Sequence, residues 1–468
     1  MRSKSEPQFR FKFFQKSDLK ETNQYYQKYQ AISSVLDQNP EIIDAVHKDL
    51  EKPLKYASAK DSEGRSCKFT TSMILRILIL MYAEGWSLRK TTIRIDTTDF
   101  FREFVGIYDR PMMNHTTLCN LKNAIRVETW KMINRHLAKS AAEEDKISGE
   151  TTRIDTTAVE TNIHHPTDSS LLWDVYRVFA RFIKQARKLD RESVGEKRLH
   201  ERRTKKLFTK INRKAGRKGS TESLKEPYED LISRVSGIMA WSRSVAVNLR
   251  NRADDIGGLC GDSAARGLAV EIETYLLLGA QVVDQAQRRI FQGEQVPNEE
   301  KIFSIFEPHT ELLKRGKARR NIEYGHMIQI QQSPEKFITD YDVFEKKPVE
   351  HTLLDPAAEH HKDVFGEYPD TFSADKGYYD RKAVEQLEQK VKSVAIGKKG
   401  KRTEEETARE HSPEFREAQR FRAGIEGSIS FLKRILRLAR CLAKGFQHYC
   451  STVGGTIFAH NLLVLARC

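Results

Sequence analysis

One strand, set between long helical stretches, constrains this chain most. Residues Arg153–Ile163, within Thr151–Ser170 (TTRIDTTAVETNIHHPTDSS), are rich in β-branched side chains and contain no Gly or Pro. Side chains alternate along a strand, so Arg153, Asp155, Thr157 and Val159 share one face, and Ile154, Thr156, Ala158 and Glu160 the other. A carboxylate in mid-strand is disfavoured. Half-buried, Asp155 needs a cation, a hydrogen-bond donor or a metal. Two readings stand on this stretch alone: an acid capped by neighbouring Thr hydroxyls, and a ligand in a site.

The residues before the strand read as helical. Asp18–Asp37, Pro40–Glu51, Thr71–Glu84, Leu88–Ile93 and Thr116–Ala138 carry helix-compatible apolar spacing, punctuated by Gly85, Pro111 and Asn114-His115. Short helices opened by Trp86–Lys90 and His115–Leu118, the latter followed by Lys122, Asn123 and Arg126, suit either a helix-turn-helix DNA reader or a plain bundle. After the strand, Leu171–Asp190, Tyr228–Asn248 and Ala264–Arg289 are again helical, with a dense basic run at Arg187–Lys218. Such a run is either a solvated helix face or a phosphate contact, and its few acids leave both open. From Glu323 the period shortens. Tyr324–Gln331, Lys336–Val343, Thr371–Ala374 and Lys392–Ile396 read as strands between helical stretches, which makes a mixed strand–helix region. A basic loop at Lys398–Arg402 precedes a long helix expected over Pro413–Arg440, and a last helix carries Phe458–Ala466.

Composition narrows the function class. The 468 residues carry a formal charge of +15 and a pI near 9.3, which favours a polyanionic partner. The longest apolar run, Met73–Tyr82, is too short to span a bilayer and contains Arg76, and the N-terminus lacks a signal-peptide apolar core, so a cytoplasmic protein with no membrane partner is expected. Cysteines 67, 119, 260, 441, 450 and 468 show no CxxC spacing, which argues for reduced thiols and against zinc. The pairs His164-His165 and His360-His361 read as structural.

Two further acids stand out. Asp375 follows a short apolar strand in Thr371–Asp380 (TFSADKGYYD), where α/β folds place ligands, whereas Asp380 suits a helix cap. On a helical wheel over Pro413–Arg440, Phe421, Ile425, Ile429, Leu432 and Leu436 form a core face. Gln419, Arg422, Glu426, Ser430, Lys433 and Arg437 form a stripe beside it, in which one acid is framed by bases. Alone, Arg422 and Glu426 are a surface pair worth a few tenths of a kcal/mol. Hard divalent cations take carboxylate oxygens, so Asp155, Asp375 and Glu426 together suit Mg²⁺.

At this point the chain resembles the DDE transposases of bacterial insertion sequences, in particular the ISNCY-type group with its YREK signature. The matching pieces are Ile154-Asp155-Thr156-Thr157 with the following ETNIHHPTDSSLL, IFEPHTELLKRGKARRNIEYGH at 305–326, ITDYDVFEKKPVEH at 338–351, SADKGYYD at 373–380, and Arg422-x3-Glu426-x6-Lys433. The Tyr usually three residues before that Arg is Gln419 here. The resemblance implies a mixed α/β (α+β) chain: an all-α N-terminal DNA-binding domain at 1–145, and an RNase H-like catalytic domain at 146–168 and 321–468, split by a helical basic insertion at 169–320. Asp155, Asp375 and Glu426 would hold two Mg²⁺ (or Mn²⁺) ions, with Arg422 and Lys433 on phosphate. Double-stranded DNA, as element ends and target, would meet Arg89, Lys90, Lys122, Arg126, Lys205, Lys206, Lys210, Arg213, Lys214, Arg217, Lys218, Arg315, Lys317 and Arg437. A homodimer that synapses two ends and a nucleoid-associated location in the cytoplasm are further implications. The rival classes are a regulator that occupies element ends without cutting and a metal-dependent nuclease without strand transfer.

Overall fold

The computed structural model describes residues 2–5, 17–51, 68–215, 220–256, 258–314 and 322–467. The chain forms two compact units, Met1–Asn162 with Gly325–Cys468, and Ile163–Tyr324.

The first unit begins with α1 (Lys20–Gln38), α2 (Pro40–Leu50), α3 (Thr71–Ala83), α4 (Leu88–Asp96), α5 (Asp99–Val105), α6 (His115–Ala124) and α7 (Val127–Glu143). Local chemistry sets the boundaries. The Thr70 hydroxyl accepts from the Met73 N–H, Ser87 from Lys90 and Asn114 from Thr116, each satisfying an orphan donor of a first turn. The helix expected over Thr116–Ala138 is two helices, because Ile125 and Arg126 are extended and Asp49 accepts from both the Arg126 N–H and its Nε. Helix α3 is apolar on every side and buried from Met73 to Ala83. Arg76 within it is neutralised by Asp37 and donates to Ser33. Among the described residues, no helix is long and apolar enough to cross a membrane. Strand β1 (Thr151–Thr161) follows.

The second unit is helical: α8 (Asp168–Leu189), α9 (Arg191–Val194), α10 (Glu201–Lys214), α11 (Ser220–Asn251) and α12 (Gly258–Phe291), with a short strand β2 (Glu311–Lys314) that the sequence pattern did not suggest. A capping box between Thr167 and Ser170 starts α8. Phe179, Phe182, Ile183, Leu231, Val235, Leu249, Ile272 and Val282 fill its core.

The chain continues with β3 (Ile322–Gln332), β4 (Ile338–Val343), α13 (Leu354–Phe365), β5 (Thr371–Ser373), α14 (Arg381–Glu388), β6 (Ser393–Ala395), α15 (Glu404–His411), α16 (Pro413–Ala423), α17 (Ile425–Arg434), β7 (Arg440–Cys441) and α18 (Phe446–Leu465). The sheet of the first unit runs β4-β3-β1-β5-β6, and β7 pairs with the end of β1. Strand β3 is antiparallel to β1 and β4, whereas β5 and β6 continue parallel to β1. Each face of β1 is covered, which explains its lack of alternation in burial. Ile154, Phe372 and Val394 pack with Leu354, Ala358, Val384 and Leu387 of α13 and α14. On the other face, Val159, Ile328, Ile330 and Tyr341 join a core with Leu432 of α17, Ile457 and Phe458 of α18, and the N-terminal helices. The segment 1–145 therefore shares one hydrophobic core with α18: Trp130 is fully buried, and its ring lies 6.0 Å from that of Phe458.

The single helix expected over Pro413–Arg440 is corrected. It breaks at Gly424, and helix α17 ends at Arg434. A Cβ at Gly424 would lie 2.5 Å from Nη1 of Arg153, so the glycine lets the guanidinium reach the last turn of α16. After α17 the chain turns through Arg437, whose φ is 60°, into β7.

Candidate active site

Strand register places the first two acids. Arg153 pairs with Ser373 across the parallel strands β1 and β5, and Asp155 and Asp375 each follow two residues later. Asp155 shares the face of Arg153, and the still extended backbone of Asp375 carries the alternation of β5 one step past Ser373. The Thr156 N–H donates to Oδ1 of Asp155 at 2.7 Å, and the Lys376 N–H donates to Oδ1 of Asp375 at 2.7 Å. Asp155 is half-buried and Asp375 exposed. Asp375 caps the short 3₁₀ turn Lys376–Tyr378, whereas Asp380 caps α14 through the Ala383 N–H, the role its spacing suggested.

Helices α16 and α17 are fastened to this face by β1 itself. Arg153 is 3 % exposed, and burial lowers its pKa to about 10, so it stays charged at neutral pH. Its Nε and Nη2 donate to Oε1 of Gln332, its Nη1 donates to the Phe421 carbonyl, and its guanidinium lies 4.5 Å from the Phe421 ring centroid. Ser428 donates to the same Gln332 oxygen. This network sets α17 on the face of Asp155, with Glu426 exposed in its first turn. Arg422 and Lys433 are half-buried on the same pair of helices. Nε of Arg422 is buried with no hydrogen-bond partner among the described residues.

Gln419, in the place of the usual Tyr, has a definite job. Its Nε2 donates to the carbonyls of Ala395, at 2.6 Å, and Ala374, at 3.4 Å. It therefore ties α16 to the ends of β5 and β6, at the residue just before Asp375.

Two neighbours of the acids were not singled out from sequence. Glu350 accepts from the Thr156 hydroxyl at 3.4 Å. Tyr378 is 1 % exposed, and its hydroxyl lies beside the Thr156 side chain. Burial raises the Tyr378 phenol well above its usual range, and the charges of Asp155, Glu350 and Asp375 act in the same direction. Both residues lie inside stretches that carried the family resemblance, 338–351 and 373–380, but no spacing marks them.

A separate ligand-like group, Asp340, Asp342 and His360, has its ligand atoms within 4.8 Å of one another. Its two aspartates sit on β4 and His360 on α13, and the register Ile154–Gln331–Asp340 puts the aspartates on the opposite sheet face from Asp155. Its members are already paired, His360 with Asp340 and Lys131 with Asp342.

The basic residues fall into different settings. Arg89 and Lys90 are exposed at the start of α4. Arg126 is exposed but paired with Asp49. Lys122, expected on DNA, is 8 % exposed and donates from Nζ to Asn123 and Thr452, so its charge faces the protein interior. On α10 only Thr204 and Ile211 are buried, Lys205, Lys206, Lys210 and Arg213 are exposed, and Lys214 is half-buried. Arg437 is exposed in its turn. Arg217, Lys218, Arg315 and Lys317 lie outside the described residues.

Residues 306–462 match the family model described as Transposase DDE domain. No curated protein and no solved structure matches the chain. The matched segment contains Asp375 and Glu426, and Asp155 precedes it on β1. The match supports a transposase acting in DNA recombination.

Proposed function

We propose that this chain is a DNA transposase that binds the terminal inverted repeats of an insertion sequence, cleaves a strand at the element end and joins it to target DNA. The observation that carries this reading is the placement of Asp155 on β1 and Asp375 just past β5, each two residues beyond the Arg153–Ser373 pair, with α17 carrying Glu426 beside β1. The strand order β4-β3-β1-β5-β6, with an antiparallel half and a parallel half, supports an RNase H-like catalytic domain interrupted after its first strand.

The three acids offer hard oxygen ligands, and the donor set fits Mg²⁺ or Mn²⁺. When bound, two such ions supply Lewis-acid stabilisation of the attacking and leaving oxygens of a phosphodiester. The side chains do the rest. Arg422 and Lys433, half-buried on α16 and α17, would hold the phosphate beside the acids. Arg153, Gln332 and Ser428 fix α17, so Glu426 cannot drift from the strands. Water would attack the phosphodiester at the element end, leaving a 5′-phosphate on the flank and a 3′-hydroxyl on the element, and that hydroxyl would then attack a target phosphodiester and displace the target strand's own 3′-oxygen. Arg89, Lys90 and Arg126 would contact the terminal repeat, the exposed bases of α10 and Arg437 would contact backbone phosphate, and two copies would synapse two ends.

Labelled DNA carrying the repeats that flank the gene tests the reading. Cleavage followed by joining is expected from the full chain in Mg²⁺, whereas Asp155→Asn should bind ends without cutting. Binding alone by the wild-type chain would favour the silent regulator, and cleavage without joining a plain nuclease.

A further inference from the structure

Two left-handed turns meet in the first unit. Gly85, with a φ of 58°, closes α3: its N–H donates to the Tyr82 carbonyl, and the Trp86 N–H donates to the Met81 carbonyl. Arg437, with a φ of 60°, lies in the turn after α17, where the Leu436 N–H donates to the Phe431 carbonyl and the Leu438 N–H to the Leu432 carbonyl. The two turns touch. A Cβ at Gly85 would lie 2.7 Å from the Ile435 carbonyl oxygen and 2.8 Å from Cγ of Arg437. The glycine therefore makes room for the stem of the arginine. Leu436 and Leu438 are buried on either side of Arg437 and pin the turn, while Arg437 itself is exposed.

The left-handed conformation disfavours a Cβ, so glycine is the usual occupant and arginine is not. Such outliers cluster where the residue is used. Lys90 reaches the same place from the other side of the chain. Its Nζ lies 5.7 Å from the centre of the ring of Trp86, the residue after Gly85. Neither Lys90 nor Arg437 has an acid partner among the described residues. The neighbouring Glu84 is taken by Lys28 and Tyr29. Arg126 and Arg440, by contrast, are neutralised by Asp49 and Glu160. Two uncompensated cations from distant parts of the chain thus rest on one two-residue turn, an arrangement suited to the phosphates of a polyanion.

We propose that Lys90 and Arg437 form one phosphate clamp across the Gly85–Trp86 turn, gripping the backbone of the element end with one cation from the N-terminal helices and one from the turn that ends the helix of Glu426. The proposal rests on the transposase reading and adds a coupling to it. The duplex held by α4 is held at the same point by the C-terminal end of α17, so the clamp sets the path of the strand past Glu426. Lys90 and Arg437 are positioning residues: they fix the register of the DNA and read no base.

The full chain and duplex DNA carrying the repeats that flank the gene test this, through salt titration of binding and single-turnover cleavage at saturating DNA. Arg437→Gly installs the residue that the backbone favours, so its denaturation midpoint should equal or exceed that of the wild type. It should nevertheless flatten the dependence of log affinity on log salt by about one unit and slow cleavage by roughly 10- to 100-fold, as misplaced substrate does. Lys90→Ala should change both readouts alike, although it lies on another element. Arg437→Lys keeps a charge on the turn and should restore the salt slope. Gly85→Ala displaces the Arg437 stem and should match Arg437→Gly; if that variant does not fold, Arg437→Gly decides. A wild-type slope and cleavage rate in Arg437→Gly overturns the clamp, whatever its midpoint. So does a loss in Arg437→Gly that Lys90→Ala does not share. If the wild-type chain neither binds nor cuts this DNA, the transposase reading beneath the proposal fails instead.

Discussion

Asp155 on β1 and Asp375 just past the end of β5 each lie two residues beyond the Arg153–Ser373 pair of these parallel strands. Residues far apart in the chain are made adjacent by one register, and a shift of that register by a single residue would turn one of the two away. Asp375→Asn, like Asp155→Asn, should therefore lower strand cleavage by at least about 100-fold, in line with loss of a charged group that stabilises the transition state, while end binding in a gel assay stays within a few-fold of wild type. Cleavage by Asp375→Asn at the wild-type rate would remove it from the site.

Gln419 bonds the carbonyls of Ala374 and Ala395. Gln419→Ala should lose roughly 1–3 kcal/mol of stability, because two strand-end carbonyls lose a donor. It should also slow cleavage without changing end affinity, since Asp375 directly follows one of those carbonyls. A chemical denaturation midpoint and a single-turnover cleavage assay measure the two effects separately. Gln419→Glu should be no better than Ala, because an acceptor cannot replace the donor.

The exposed bases of α10 give a salt-dependent expectation. Replacing Lys205, Lys206, Lys210 and Arg213 together by Ala should flatten the dependence of log affinity on log salt by up to about three to four units. Specific and random duplexes should weaken alike, since phosphate contacts position a protein without reading bases. An unchanged slope would make α10 a solvated helix.

Two buried histidines set an acid limit on stability. His361 donates from Nε2 to the Gly149 carbonyl and His460 from Nε2 to the Lys336 carbonyl. Burial lowers each to about 4 from an ordinary 6.5. The folded imidazoles stay neutral while the unfolded chain takes up protons below 6.5, so the unfolded state binds more protons there. Stability should fall as pH drops from 6.5 towards 4, by at most roughly 3 kcal/mol for each histidine. Denaturant midpoints measured across that range should show the decline, and His460→Gln should make it shallower. A midpoint that does not change between pH 6.5 and 4 would contradict this.

Much of this protein could be read directly from its residues. The β-branched run around Asp155, the apolar α3, the strands after Glu323 and the capping role of Asp380 all follow from local pattern, because periodicity and cap chemistry are properties of neighbouring residues. Asp155, Asp375 and Glu426 were nameable as acids in unfavourable or framed positions. Other features were decided only by tertiary structure. Lys122 reads as a surface base, but packing against α18 turns it to Thr452. The absence of a side chain at Gly424 makes room for Arg153, a residue on a strand far away in the chain. Glu350 and Tyr378 carry no spacing of their own, and only the fold brings both beside Thr156 of β1. A residue's own neighbours in sequence fix its preference for helix, strand or turn, whereas strand register and helix packing join residues hundreds of positions apart, and no local pattern encodes which of them will meet.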